Sequence, residues 1–209
     1  MLSFRGYEKR STARVRLHKL GVRPSHMNRR LAPGLILLSL LLDAFADQVP
    51  FAIVYGPKGA FNIAAPAGWV IDNTAGESNG LPCVLFRKGQ TWQNAEPMMY
   101  AKIANTSHED AEAFAKTAIE EMKKERGEYE VKRVATGKTK GGQSYFINQY
   151  SPSEKYPRIE RVAYVQMPKA VAYVVFSCDG EQALRKHQRA LTELLETLMA
   201  MDVKAEDRG

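Results

Sequence analysis

The stretch AVAYVVF (170–176) is apolar on both faces of an extended chain. A strand with one wet face alternates apolar and polar residues, so this one reads as a central strand covered on both sides. Its neighbours follow from the turns around it. Pro168-Lys169 marks a hairpin back to an extended segment over 159–167. Gly141-Gly142 marks another hairpin, between segments over 129–135 and 144–150. After the central strand, Asp179 and Gln182 have the spacing of a capping box, and the spacing predicts a helix there. Leu184, Leu191, Leu195 and Leu198 line its core face. The charged tail from Lys204 to Gly209 is expected to fray.

A second helix is expected upstream. Ser107 is placed to cap it, with Glu109 and Asp110 in the first turn to meet the helix dipole. Ala111, Phe114, Ala115, Ala118 and Met122 recur at helical spacing. Glu112–Lys116 and Glu120–Lys124 are spaced for pairs on the wet face, and Gly127 ends the helix. Before it stand short extended segments. Phe61-Asn62-Ile63 alternates, Trp69-Val70-Ile71 follows a turn, Cys83 to Phe86 is apolar, and Met99, Ala101 and Ile103 share one face of 98–104. Polar loops at 73–80 and 88–97 separate them. The order of strands, helix, antiparallel strands and helix predicts an α+β fold, an antiparallel β-sheet flanked by helices.

The segment FNIAAPAGWVIDN (61–73), a strand entering the Pro66-x-Gly68-Trp69 turn, resembles the opening of PsbP-like domains. The later order of helix, strand meander, AVAYVVFSC strand and C-terminal helix is similar too, and the resemblance covers most of residues 59–201. It implies an α/β/α sandwich. Members of that family include docking subunits of the photosynthetic oxygen-evolving complex and many small exported bacterial proteins. The resemblance therefore implies a non-catalytic binding or assembly module, and it brings no catalytic residue.

The N-terminus carries an address. In MNRRLAPGLILLSLLLDAFA (27–46), Arg29 and Arg30 precede an apolar run over 31–42, and Ala44-Phe45-Ala46 precedes Asp47. That order reads as a signal peptide cleaved between Ala46 and Asp47. The run is shorter than the roughly 20 residues that span a bilayer. Residues 1–26 read as a non-structural extension or a mis-assigned start, leaving 47–209 as a single domain. The expected location is secreted, in the periplasm. The first 46 residues hold nine Lys and Arg against Glu8 and Asp43, which accounts for the whole-chain charge of +7. The remainder is neutral, so nucleic-acid binding loses its electrostatic support.

Cys83 and Cys178 are the only cysteines. In an exported chain they are expected to form a disulfide, worth about 4–5 kcal/mol in the chain-entropy model. The other reading is two buried thiols.

No catalytic set emerges from spacing. His108 and His187 stand far apart, and no Cys/His spacing suits zinc, so no metal is expected. His187 shares the apolar stripe of Leu184 and Leu191 and reads as a core histidine, while His108 reads as a solvated helix cap. A Cys178–His187 pair would place the imidazole about two turns along the helix, roughly 10 Å away, without a third orienting group. Gly137-Lys138-Thr139 resembles the end of a phosphate loop, but Lys132 stands where the first glycine is required.

What remains is surface recognition. Trp92 and Asn94 sit in one polar loop, and Tyr150 and Tyr156 flank another. Trp and Tyr are favoured interface anchors. Trp92 either anchors a partner or folds back on the sheet edge, and Trp69 reads as core. The sequence thus predicts an exported, non-enzymatic binding or assembly module of the cell envelope. It needs no cofactor, takes an unidentified protein partner or small ligand, and meets the membrane only through its signal peptide. Two alternatives stand: an envelope hydrolase whose site spacing does not reveal, and a protein anchored by an uncleaved leader.

Overall fold

The computed structural model describes residues 50–201, apart from Thr106 and Glu109. The signal peptide, the Ala46–Asp47 junction, the N-terminal extension and the tail from Asp202 lie outside the described residues.

Among the described residues there are ten strands and three α-helices. In chain order they are β1 (Phe51–Gly56), β2 (Gly59–Ala64), β3 (Trp69–Asp72), β4 (Val84–Arg87), β5 (Met98–Ile103), α1 (Ala111–Arg126), β6 (Val131–Lys138), β7 (Ser144–Tyr150), β8 (Ile159–Gln166), β9 (Val171–Cys178), α2 (Glu181–His187), α3 (Arg189–Thr197) and β10 (Met199–Met201). All pairings are antiparallel, in two sheets. The larger runs β3-β4-β5-β9-β8-β7-β6, and the smaller runs β1-β2-β10. The fold class is thus the expected α+β. The sequence reading held one sheet where the structure has two.

Strand β9 lies at the centre of the larger sheet, as its two apolar faces require. On one face, Ala172, Val174 and Phe176 join a core with Val54, Phe61 and Ile63 of the smaller sheet and with Leu191, Leu194, Leu195 and Leu198. On the other, Val171 and Val175 pack with Tyr164, Phe146 and the Ala111–Ala115 face of α1. Trp69 is buried in the first core, as expected.

Helix α1 begins later than Ser107 suggested. Asp110 is its N-cap, and its carboxylate accepts a hydrogen bond from the Ala113 N–H at 2.8 Å. Glu112 turns to Arg133 on β6, making two hydrogen bonds of 2.7 and 2.6 Å. Gly127 closes the helix at φ 83°, a left-handed value that favours glycine. The C-terminal helix starts from Gly180 rather than from a capping box at Asp179, whose carboxylate is taken by Arg158. It is interrupted at Gln188 into α2 and α3.

The expected disulfide is replaced by two buried free thiols. Strand register explains why. The Cys83 carbonyl accepts from the Ala101 N–H, and Ala101 stands opposite Val174 on β9. Cys178 lies four residues beyond Val174, about 13 Å along the strand, with β5 between the two cysteines. A disulfide requires Cα atoms within about 7 Å. Burial, then the nearby Asp72 charge, pushes the Cys83 thiol up to about 12, and burial raises Cys178. Neither thiol should react with a maleimide in the native protein, and both should react after denaturation without reductant. A mass two hydrogens lighter after unfolding would instead reveal a bridge.

Strand β1 runs close over the end of β5. A Cβ added at Gly56 would stand 2.5 Å from the Ile103 Cβ. Gly56→Ala should therefore destabilise the fold by about 1–3 kcal/mol in urea denaturation. Ile103→Val should give little relief, because the clash is with Cβ itself. Unchanged stability of Gly56→Ala would refute the close approach.

Candidate binding groove

The smaller sheet leaves β1 at its edge. The Ala65 N–H donates to the Pro50 carbonyl at 2.8 Å, which fixes the hydrogen-bond phase of the β1–β2 pair. Alternation then turns the N–H and C=O of Ala52, Val54 and Gly56 toward β2. Those of Phe51, Ile53 and Tyr55 face away from it. Along that free edge runs an open groove of about 840 Å³.

Its far wall is the 73–82 loop. The Asp72 carboxylate starts this loop, accepting from the N–H groups of Thr74 at 2.7 Å and Ala75 at 2.9 Å. The Ala75 N–H, then that of Thr74, hold the Asp72 carboxyl below its usual value. A 3-10 turn over Glu77–Asn79 follows, closed by Gly80 at φ 67°. Leu81 and Pro82 then face β1 across the groove. Asn73 ties the two walls together. Its Nδ2 donates to the Ile53 carbonyl at 3.0 Å and to the Pro82 carbonyl at 2.9 Å. A side-chain amide thus already stands where a peptide group of an added strand would stand. Lys102, Ile103 and Asn105 complete the lining, with Glu77 and Lys102 its charged members.

The groove's surface is mainly apolar, with main-chain donors and acceptors along one wall. Among the described residues, no group of three or more His, Cys, Asp or Glu is arranged to hold a metal.

The residues singled out from sequence lie elsewhere. Trp92 is half-buried against the cluster of Val84, Phe86 and Ala95, which is the fold-back reading. The Asn94 side chain accepts from the Thr91 N–H at 2.8 Å and closes a short 3-10 turn over Trp92–Asn94. Tyr150 is buried, sharing a 2.6 Å hydrogen bond with the Tyr164 hydroxyl. That burial takes it out of a partner's reach. Tyr156 donates to Glu160 Oε1 at 2.7 Å and lies under the Arg126 guanidinium, 3.9 Å from its ring centroid. The structure does bring Tyr150 and Tyr156 together, around a cleft of only about 10 Å³, roughly the size of one water.

That cleft is an ionic lock. Glu160 is 3% exposed, and Arg126 Nη1 donates to its Oε2 at 2.6 Å. Burial opposes the Arg126 charge, yet the adjacent Glu160 carboxylate holds the guanidinium above its ordinary value. Burial, then Glu160, pushes Tyr156 up to about 12. Beside it, Arg158 donates to Glu96 Oε2 at 2.7 Å and to Ser177 Oγ at 2.8 Å, and it pairs with Asp179. The lock ties three separate loops to the end of β9. His187 is also half-buried, with Nε2 3.1 Å from Arg87 Nη1. Burial, then the Arg87 charge, keeps it below its ordinary value and so in the neutral form that accepts this bond.

Removing one partner of a buried pair strands the other charge. Arg126→Met should cost about 3–5 kcal/mol of stability. Adding Glu160→Gln should recover part of it. A cost under about 0.5 kcal/mol would show a solvated pair.

No protein-family model matches this chain, and no curated protein matches it in sequence. Several solved structures are similar to it, two of which follow. The solution structure of cyanobacterial PsbP (CyanoP) from Synechocystis sp. PCC 6803 matches with a TM-score of 0.49 and 11% identity, over 78% of this chain and 99% of that one. The crystal structure of LpqN, involved in cell envelope biogenesis of Mycobacterium tuberculosis, matches with a TM-score of 0.47 and 15% identity, over 75% of this chain and 94% of that one. In this chain the seven-stranded antiparallel sheet is flanked by helices.

Proposed function

We propose that this protein is an exported, non-catalytic binding module of the cell envelope, and that it takes an extended segment of a partner protein along the free edge of β1. The signal-peptide pattern over 27–46 supports export. The observation that carries the binding mode is the juxtaposition of an unpaired strand edge with a groove of about 840 Å³. An open edge offers N–H and C=O groups at every second residue, a pattern that an extended backbone complements. The apolar walls then receive alternate side chains. Asn73, bridging Ile53 and Pro82, shows that the gap accepts an amide.

The test deletes one outward main-chain donor together with the Tyr55 ring, and Tyr55→Ala controls for the ring. Tyr55 directs its N–H away from β2, so Tyr55→Pro removes an outward donor while leaving the β1–β2 ladder intact. A displayed library of random linear peptides serves as probe. Peptides selected on the wild-type chain should protect the Phe51 and Tyr55 amides from hydrogen exchange. They should bind Tyr55→Pro at least about tenfold more weakly than Tyr55→Ala, which lacks the ring but keeps the outward N–H. Selected peptides that leave those amides unprotected, or that bind Tyr55→Pro as well as Tyr55→Ala, would overturn the strand-addition mode.

A further inference from the structure

The smaller sheet has an inner face and an outer one. Val54 and Phe61 are fully buried, so their side is the inner. Cross-strand register then assigns the outer side. Ile53, Asn62 and Met199 stand in one row, and Tyr55, Ala60 and Met201 in the next, with Phe51 beside Ala64 beyond them. The exposed large hydrophobic residues of the described chain are Phe51 at 72%, Tyr55 at 63%, Met199 at 42% and Met201 at 37%. All four belong to this single face. Scattered exposed apolar residues are ordinary, but a contiguous set marks a contact surface.

Charge surrounds the face on three sides. Lys102 stands on the β1 side, lining the groove with Phe51 and Tyr55, where Glu77 is the one acid. Lys58 and Lys169 border a cleft with Met201 at the end of the Tyr55–Met201 row. Lys140 lies on the β10 side, in the turn whose Gly141 N–H donates to the Leu198 carbonyl. On the face itself, Asn62 is the polar side chain, and no row contains an ionisable carboxylate.

We infer that this outer face docks on an anionic lipid surface. Phe51, Tyr55, Met199 and Met201 would enter the headgroup boundary, and the lysine rim would meet lipid phosphates. A two-fold pairing with a second copy would set the same lysine rim against itself, and like charges oppose that arrangement. An anionic bilayer complements both the apolar centre and the basic border. The inference concerns the outer face of the smaller sheet, which shares Phe51, Tyr55 and Lys102 with the groove's rim, and it stands whether or not the β1 edge takes a peptide.

The experiment is co-sedimentation with phosphatidylglycerol vesicles and, in parallel, phosphatidylcholine vesicles. It uses the chain from Asp47 onward, so that the apolar run over 31–42 does not contribute. Among the described residues, every buried hydrophobic one lies at or beyond Ala52, within that chain. The expected result is binding to phosphatidylglycerol that weakens with salt and exceeds binding to phosphatidylcholine. Met199→Ser/Met201→Ser should weaken it at least about tenfold, as should Lys140→Glu/Lys169→Glu. These positions are at the surface, and unchanged urea unfolding would confirm that the variants are folded. Leu81→Ser changes the groove wall without adding charge, so it should bind vesicles like the wild type. No binding to phosphatidylglycerol at low salt, or face variants that bind normally, would overturn the inference. So would vesicle binding lost in Leu81→Ser, which would give the lipid to the groove. A dimer in sedimentation velocity that Met199→Ser/Met201→Ser dissociates would give the face to a second copy instead.

Discussion

The two-sided burial of β9 is the constraint on which the rest of the structure depends. Its side chains are apolar above and below the sheet, so two covering layers must form. Helix α1 supplies one. The other is shared between α2, α3 and the three-stranded sheet. A helix used as a cover can turn a polar side outward. A sheet used as a cover has a complete second face, whose residues alternate with the buried ones. In this protein that second face is Phe51, Ile53, Tyr55, Met199 and Met201. The same choice of cover leaves β1 with an open edge. The contact surface and the groove are therefore consequences of how the central strand is roofed.

The opposite pole of the sheet is closed by charge. Glu160 and Ser177 are buried polar residues opposite one another on β8 and β9. Arg126 reaches Glu160 from the end of α1, and Arg158 reaches Ser177, Glu96 and Asp179 from three directions. A buried carboxylate is tolerated only with such partners. This lock absorbs Tyr156, which the sequence offers as an anchor, together with Glu96 and Asp179. Glu96, Tyr156 and Asp179 sit in loops and look available, yet each is committed to holding those loops together.

The legible parts of the fold were those with a clear period. Met99, Ala101 and Ile103 alternate with wetter residues and were read onto one face, which the structure buries. The leucines at 184, 191, 195 and 198 were likewise read onto the core side. Strands β1 and β10 escaped for a physical reason. FAIVYG is apolar at nearly every position, so it shows no alternation, and MAM is only three residues long. The absence of alternation in β1 is itself the record of an apolar outer face. The disulfide was misread because pairing register, invisible in one sequence, decides which cysteines can meet. Trp92 and Tyr150 are attractive as anchors by residue type alone; Tyr150 is buried, while Trp92 is half-buried against Val84, Phe86 and Ala95.

An apolar edge strand is a hazard as well as a site, because it invites indiscriminate pairing. Two features restrain β1. Pro50 and Pro57 bracket it and limit it to six residues. Asn73 occupies its central outward carbonyl, at Ile53, and ties it to the opposite wall. An incoming strand must therefore fit between fixed walls and accommodate or displace one amide. A flat aggregating edge makes no such demand. On the proposed readings, the groove would make a generic β-edge selective, and the lysine border would do the same for the apolar face. Each exposed apolar element of the smaller sheet carries a polar feature that narrows what it can accept.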